Sequence, residues 1–496
     1  MKKTFLTRTF SALIALTMLF TISAVSSPAL AASYGSYPLH QLLPMERRPD
    51  DPKEIPEGLE IDWNHRYTYA ELEGQLAALA KEYPKFSELY SIGTSWQERD
   101  MWCIEISNEA VNKESKTGIG VFANIHGGER ESASSAMYMA WWLLLNSEDP
   151  YVQGLLDRYV IYVVPVINPD GYEQSFINNN RPNLRPMDWN GNGIPFSDPY
   201  TDIDGDGYIA TLYRGKASDT PSTSMAKFGT ESPDWDKNGI LGDDPRTSGI
   251  DMNRTFNYQW NRFDIETEDT QVIGNNSWSS AGPDAASEPE IKALQDFLYK
   301  TDMDALTSLH TGIQCVLYPW CYRPYDANNP KDAEIPFMKE TAAKMAAAFQ
   351  NYTGRGFYTM SSYEDYPTSS EMIDYAYGRL NIHAYTIEVY NGGKSEDGDI
   401  ADCKWENTLP EAKWVFYSQQ DIKDKLHLDP ATLKDSSGKP LAADEGLWFY
   451  TSSTAQMVDK APENQDIMVK GARDAILTMI ESEPHGDGYQ RPYYVK

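Results

Sequence analysis

Cysteine is scarce in this chain, with four residues in 496. That excludes a disulfide scaffold of the kind small exported domains depend on. Cys103, Cys315, Cys321 and Cys403 allow a bridge without indicating which residues would form it. Positive charge is also short, 43 Lys and Arg against 73 Asp and Glu, for a formal net charge of -30. Such a surface repels nucleic acid and anionic membranes, so neither is expected as a partner. Beyond the first 31 residues no segment approaches about 18 uninterrupted apolar residues, which argues against an ordinary membrane-spanning helix. Histidine is rare too: seven in all, which keeps the set of candidate imidazole ligands small. The apolar fraction is ample. At 41% hydrophobic the chain can bury a sizeable core.

Residues 1–31 carry Lys2, Lys3 and Arg8, then the apolar run Leu13 to Val25, then Ala29-Leu30-Ala31. The pattern is that of a secretory signal peptide, excluded here from the fold. A secreted, extracellular location without stable membrane insertion is expected. Residues 32–60 are rich in proline and charge and read as an N-terminal arm. From Tyr67 onward the pattern changes. TYAELEGQLAALAKEYP places Leu72, Leu76, Leu79 and Ala80 at helical spacing, with Thr68 as N-cap and Pro84 as stop. Short apolar runs follow, SELYSIG, MWCIEIS, GIGVFANIHGG and YVIYVVPV, with the helix-like SSAMYMAWWLLLN among them. Strands alternating with amphipathic helices predict an α/β domain with a largely buried sheet.

Three potentially reactive residues fall at the carboxyl ends of strand-like runs, where open α/β sheets bind ligands. They are His126 after GIGVFAN, His310 closing DALTSLH, and Glu388 in HAYTIEVY. A catalytic zinc takes three protein ligands and keeps a position for water, and His/Glu/His is a familiar set. In NIHGGERES, His126 and Glu129 supply two, with Gly127 and Gly128 expected to let the loop bend tightly. His310 is the third candidate. A lone His-x-x-Glu is also what a surface loop can carry by chance.

Several stretches taken in order resemble one family, the zinc metallocarboxypeptidases (carboxypeptidase A-like, peptidase M14), in a secreted bacterial-type form. They are YPKFSELYSIGTSWQERDMWCIEIS, HGGE, NPDG (168–171), GIDMNRTF (249–256), SLHTG, and TIEVY around Glu388. The resemblance implies a three-layer α/β/α fold with a mixed, mostly parallel central sheet. It implies zinc on His126, Glu129 and His310, with Glu388 as general base. Asn253 and Arg254 would receive a substrate's terminal carboxylate, and Tyr366 would close over it. An arginine that polarises the scissile carbonyl should follow NPDG; Arg181 and Arg185 both qualify, and Arg185 is preferred. Ile373 falls at the family's side-chain pocket, and Glu371 could reach the same place and favour Lys or Arg. Gly128 stands where many animal members carry an arginine, with Arg130 displaced by two.

An acidic insertion, residues 186–248, separates NPDG from GIDMNR. It holds DWNGNG, DIDGDG and DWDKNG, each the first half of a calcium loop. The candidate calcium ligands are Asp188, Asn190 and Asn192; Asp202, Asp204 and Asp206; and Asp234, Asp236 and Asn238. The twelfth-position glutamate of an EF-hand is missing from all three, so ligands shared between loops are expected. The alternative is a set of Asx-turns without an ion. The catalytic domain is drawn at 61–430 and a C-terminal extension at 431–496. Within it DIMVKGARDAILTMIES predicts a helix, and residues 394–450 are expected to be irregular.

The expected function is therefore a secreted zinc carboxypeptidase acting on peptide or protein C-termini. The alternatives are a zinc hydrolase of cell-wall peptides with γ-linked or D-amino-acid bonds, and a non-catalytic peptide- or calcium-binding relative.

Overall fold

In the computed structural model, which describes residues 48–260, 281–354, 356–389, 410–453, 455–457 and 464–484, the first long helix is α1 (Tyr69–Glu82). Thr68 accepts from the Glu71 N–H, and the Glu71 side chain accepts from the Thr68 N–H, a reciprocal cap that fixes the start. Leu72, Leu76 and Leu79 are its buried stripe. The expected leader at 1–31, the arm as far as residue 47, and Cys403 lie outside the described residues. All elements below belong to the unit formed by Leu42–Glu483 and Gln490–Lys496.

The main sheet has eight strands. In spatial order they are β1 (Ser87–Thr94), β2 (Asp100–Ile106), β4 (Tyr159–Val164), β3 (Thr117–Ala123), β7 (Met303–His310), β10 (His383–Glu388), β8 (Cys315–Tyr318) and β9 (Tyr358–Ser361). The pairs β4/β3, β3/β7, β7/β10 and β8/β9 are parallel and the other three antiparallel. Period-two alternation sends Ile119, Val121, Ile161 and Val163 to one face and Phe122, Val160, Tyr162 and Val164 to the other. The first face is covered by α1, α2 (Arg130–Leu145), α4 (Ile335–Thr353) and α6 (Gln465–Ser482); the second by α3 (Pro289–Lys300) and α5 (Met372–Leu380). This is the expected three-layer arrangement with a mixed, mostly parallel sheet. Helix α6 buries Ala472, Ile476, Leu477 and Ile480 in the same core as α2, so this part of the expected C-terminal extension belongs to the main core.

A second, four-stranded sheet runs β11 (Lys413–Tyr417), β12 (Gly446–Thr451), β5 (Thr211–Gly215), β6 (Lys227–Thr230). Strands from the acidic insertion thus pair with strands from the tail around Leu212, Phe228, Leu447 and Phe449. This corrects the expectation of irregular chain at 394–450 for its described part. KWVFY and GLWFYT have the aromatic and branched composition of half-buried strands. They pair with each other, and β12 pairs in turn with β5, which lies some two hundred residues earlier, so nothing local announces that pairing. The boundary expected at residue 430 falls between β11 and β12 of this one sheet. Among the described residues no helix is long and apolar enough to cross a membrane.

Candidate active site

Three neighbouring parallel strands, β3, β7 and β10, bring their carboxyl ends to one edge of the sheet. His310 and Glu388 close β7 and β10 and stand opposite each other in register. His126 lies three residues beyond β3, and Glu129 immediately precedes α2. The loop between them turns at Asn124, whose φ of 55° is left-handed. Its Nδ2 donates to the carbonyls of His126, Gly127 and Glu129 at 3.1–3.2 Å, holding the loop from inside. The glycines serve differently from expectation, since neither Gly127 nor Gly128 has a positive φ. A Cβ at Gly127 would lie 2.2 Å from the Gly171 carbonyl carbon, and one at Gly128 would lie 2.1 Å from Asn179 Oδ1. Close approach of the NPDG segment at Gly127, and of Asn179 further along the chain at Gly128, is what requires them.

That segment is itself clamped. Asp170 accepts from Ser95 Oγ at 2.8 Å, from the Gln97 N–H at 2.9 Å and from Arg99 Nη1 at 2.6 Å. The strand turn GTSWQER (93–99) and NPDG are thus two halves of one support.

His126 Nδ1 lies 2.7 Å from Glu129 Oε1, His310 Nδ1 lies 3.0 Å from Glu129 Oε2, and the two Nδ1 atoms are 3.2 Å apart. Each imidazole turns its other nitrogen to a partner: His126 Nε2 to Asp251 Oδ1 at 3.2 Å, and His310 Nε2 to Ser308 Oγ at 2.9 Å. Two imidazoles and a carboxylate converging, with the outer ring nitrogens engaged, is the donor set and orientation zinc takes. Despite burial, which works the other way, His126 and His310 hold the Glu129 carboxyl well below its usual range. Asp251 is likewise held low against its burial, chiefly by Arg181 and then His126.

The cleft beside these three, about 210 Å³ in volume, is lined by Arg181, Asn253, Arg254, Tyr366, Glu371 and Glu388, among others. The preference for Arg185 is corrected here. Arg185 Nη1 pairs with Glu288 at 2.9 Å, its guanidinium stacks over Trp96, and it does not line the cleft. Arg181 is the arginine at the site, 2.8 Å from Asp251 Oδ2 and 3.7 Å from Glu129 Oε1. Arg254 donates to Glu371 Oε1 and to Tyr366 Oη, both at 3.1 Å. Asn253 Oδ1 accepts from the Met372 N–H at 3.0 Å. Ile373 is corrected as well: it is 1% exposed within the core under α5, and Glu371 faces the cleft in its place. Arg130 is buried against the Ser175 carbonyl and Phe176.

Glu388 Oε2 is buried and has no hydrogen-bond partner among the described residues. Burial pushes its carboxyl up to about 8, against the pull of His310. The residues that sequence reasoning passed over are Asp251 and Ser308. Asp251 had a signal in its place two residues before Asn253; Ser308 had none beyond alternation along β7.

The acidic loops stand outside this cleft. Asp188 accepts from the N–H groups of Gly191, Asn192 and Gly193, and Asp202 from those of Gly205 and Gly207. Asp204, Asp206 and Asp234 accept from the N–H groups of Asp206, Tyr208 and Gly239. Asn190, Asn192 and Asn238 each turn Nδ2 to Asp236 Oδ2 at 2.8–3.0 Å. The Asx-turn geometry is present in all three loops.

Comparison with known proteins adds a family match. The family model described as zinc carboxypeptidase covers residues 72–409. Zinc carboxypeptidase A 1 of Anopheles gambiae is 25% identical over 346 residues, 68% of this chain and 63% of that protein. Carboxypeptidase B of Astacus astacus is 23% identical over 337 residues, 67% of this chain and 89% of that one. The chain therefore spans a little less than two thirds of the Anopheles protein. Among solved structures, carboxypeptidase A from Helicoverpa armigera is 18% identical with a TM-score of 0.49, covering 68% of this chain and 67% of that one.

Proposed function

Because the chain belongs to the zinc carboxypeptidase family, we propose that it is an exported, zinc-dependent enzyme releasing residues from the C-termini of peptides. One observation carries the reading. The His126/Glu129/His310 set, the buried Glu388 and the Asn253/Arg254/Tyr366 group line a single cleft. Zinc held by those three ligands would supply acidification of water and polarisation of a carbonyl. Glu388, whose buried Oε2 has no hydrogen-bond partner among the described residues and which lines the cleft beside the three ligands, is placed to take a proton from water and return it to the leaving amine. Arg254 offers a planar fork matched to a carboxylate, which lysine would not, and so selects a chain end over an internal bond. Tyr366, already bonded to Arg254, can close over that end. Arg181 would place its positive charge where negative charge develops on the scissile carbonyl. Calcium, the second metal expected from the sequence, has no place in this cleft.

The test is incubation with a mixed peptide library read by mass spectrometry. Stepwise loss of single residues from free C-termini is expected. Cleavage confined to γ-linked or D-residue peptides would move the cell-wall hydrolase to first place, and no turnover by zinc-replete protein would favour a non-catalytic binder.

A further inference from the structure

The loops 188–193 and 234–239 are not independent. Asp198, ten residues after Asp188, accepts on Oδ1 from the N–H groups of Trp235 and Asp236 at 2.8 and 3.3 Å. Asp244, ten residues after Asp234, accepts on Oδ1 from the Trp189 N–H at 3.0 Å. Each loop is thus capped by the acid that follows the other. Between them one carboxylate oxygen from each of Asp198, Asp236 and Asp243 lies within 4.8 Å of the others. Ligand atoms of one calcium, each about 2.3–2.6 Å from it, are at most about 5 Å apart.

A second observation points to a ligand rather than to turn geometry alone. Asp198 is 0% exposed, and its Oδ2 has no hydrogen-bond partner. With Oδ1 committed to two backbone N–H groups, Oδ2 is the oxygen left to give. Among the described residues no lysine or arginine forms an ion pair with Asp198, Asp236 or Asp243; the donors facing the last two are the neutral side-chain amides of Asn190 and Asn238, joined at Asp236 by the Asn192 amide and the Asn238 backbone N–H. Amide N–H groups offset carboxylate charge only partly, and an uncompensated buried carboxylate oxygen is costly. The all-oxygen, carboxylate-rich donor set suits a hard cation.

We propose that these two loops jointly form one calcium site, with Asp198, Asp236 and Asp243 as its carboxylate ligands. Two of the three lie outside the D-x-[DN]-x-[DN]-G pattern, and the ion would act as a clasp between the two ends of the insertion. Its mechanical reach is short. Trp189 Nε1 already donates to the Ser248 carbonyl at 2.8 Å, three residues before Asp251. The third loop carries no such site. Asp202, Asp204 and Asp206 cluster as well, but they are half-buried to exposed and none has a buried oxygen left without a partner.

The test uses full-length protein stripped with a calcium-selective chelator, then titrated with Ca²⁺ by calorimetry. Tb³⁺ luminescence sensitised by Trp189 and Trp235 gives a second readout. Wild type should bind calcium at a site that Asp198→Asn and Asp243→Asn each weaken at least about tenfold, the loss that even an outer partner of a metal ligand brings. Asp204→Asn should bind as wild type does. If Asp198→Asn fails to fold by circular dichroism, the half-buried Asp243→Asn decides. Absence of binding at millimolar Ca²⁺, as when the three acids share a proton instead, would overturn the proposal. So would binding lost only in Asp204→Asn.

Discussion

The cleft and the acidic insertion both gather oxygen and nitrogen donors, and they do so by opposite means. In the cleft the two imidazoles sit at or just beyond the ends of strands of one sheet, with Glu129 at the start of α2, and each imidazole's orientation is fixed by a partner behind it: Asp251 behind His126, Ser308 behind His310. In the insertion the donors lie on loops whose shape comes from their own Asx-turns and from each other, through Asp198 and Asp244. A site on a sheet edge is held in geometry whether or not it is loaded. A site made by two loops depends on what lies between them. The cleft should therefore lose chemistry when disturbed, and the insertion should lose stability.

The largest effect expected is at Glu388. Replacing it by Gln keeps the shape and removes the proton acceptor, so kcat should fall by about 10²- to 10⁴-fold with zinc content unchanged by metal analysis. Near-normal kcat would remove Glu388 from its role. Next comes Arg181→Ala, expected to lower kcat about 10²- to 10³-fold if its charge meets the developing oxyanion. Arg185→Ala should leave kcat within about threefold while lowering stability by about 1–3 kcal/mol, because it leaves the buried Glu288 carboxylate to the neutral donors of Trp96, Asn183 and Ser287 without its cationic partner. Equal kinetic losses in the two variants would undo the assignment of Arg181. The smallest effect concerns the loops: a calcium-selective chelator should lower Tm by a few degrees, by mass action on a ligand bound only to the folded state. Zinc content and kcat on a good substrate should stay as they were, and an unchanged Tm at matched ionic strength would leave Asx-turns without an ion.

What was legible from the sequence follows the same division. His126, His310 and Glu388 could be found because each ends an apolar run, and strand ends converge in a parallel sheet. The choice between Arg181 and Arg185 could not be made, since it depends on where Glu288 and Asp251, far along the chain, fold back. Ile373 was misplaced for a related reason: α5 turns it into the core and leaves Glu371 facing the cleft. In the insertion the motif spacing described each loop's hydrogen bonds correctly. It was silent about Asp198 and Asp243, which matter only once two loops meet. The second sheet was missed because β12 pairs with a strand some two hundred residues earlier, and no local pattern records a partner at that distance.

The central claim is that the cleft recognises a chain end, and the most direct test compares one good peptide substrate as free acid and as C-terminal amide. Amidation removes the charge that Arg254 and Asn253 would hold, and losing a buried charge-assisted pair costs roughly 2–5 kcal/mol, well over tenfold in kcat/KM. Arg254→Ala should lose comparably on the free acid and little further on the amide, because both changes delete one interaction. Equal cleavage of acid and amide by the wild type would contradict the account.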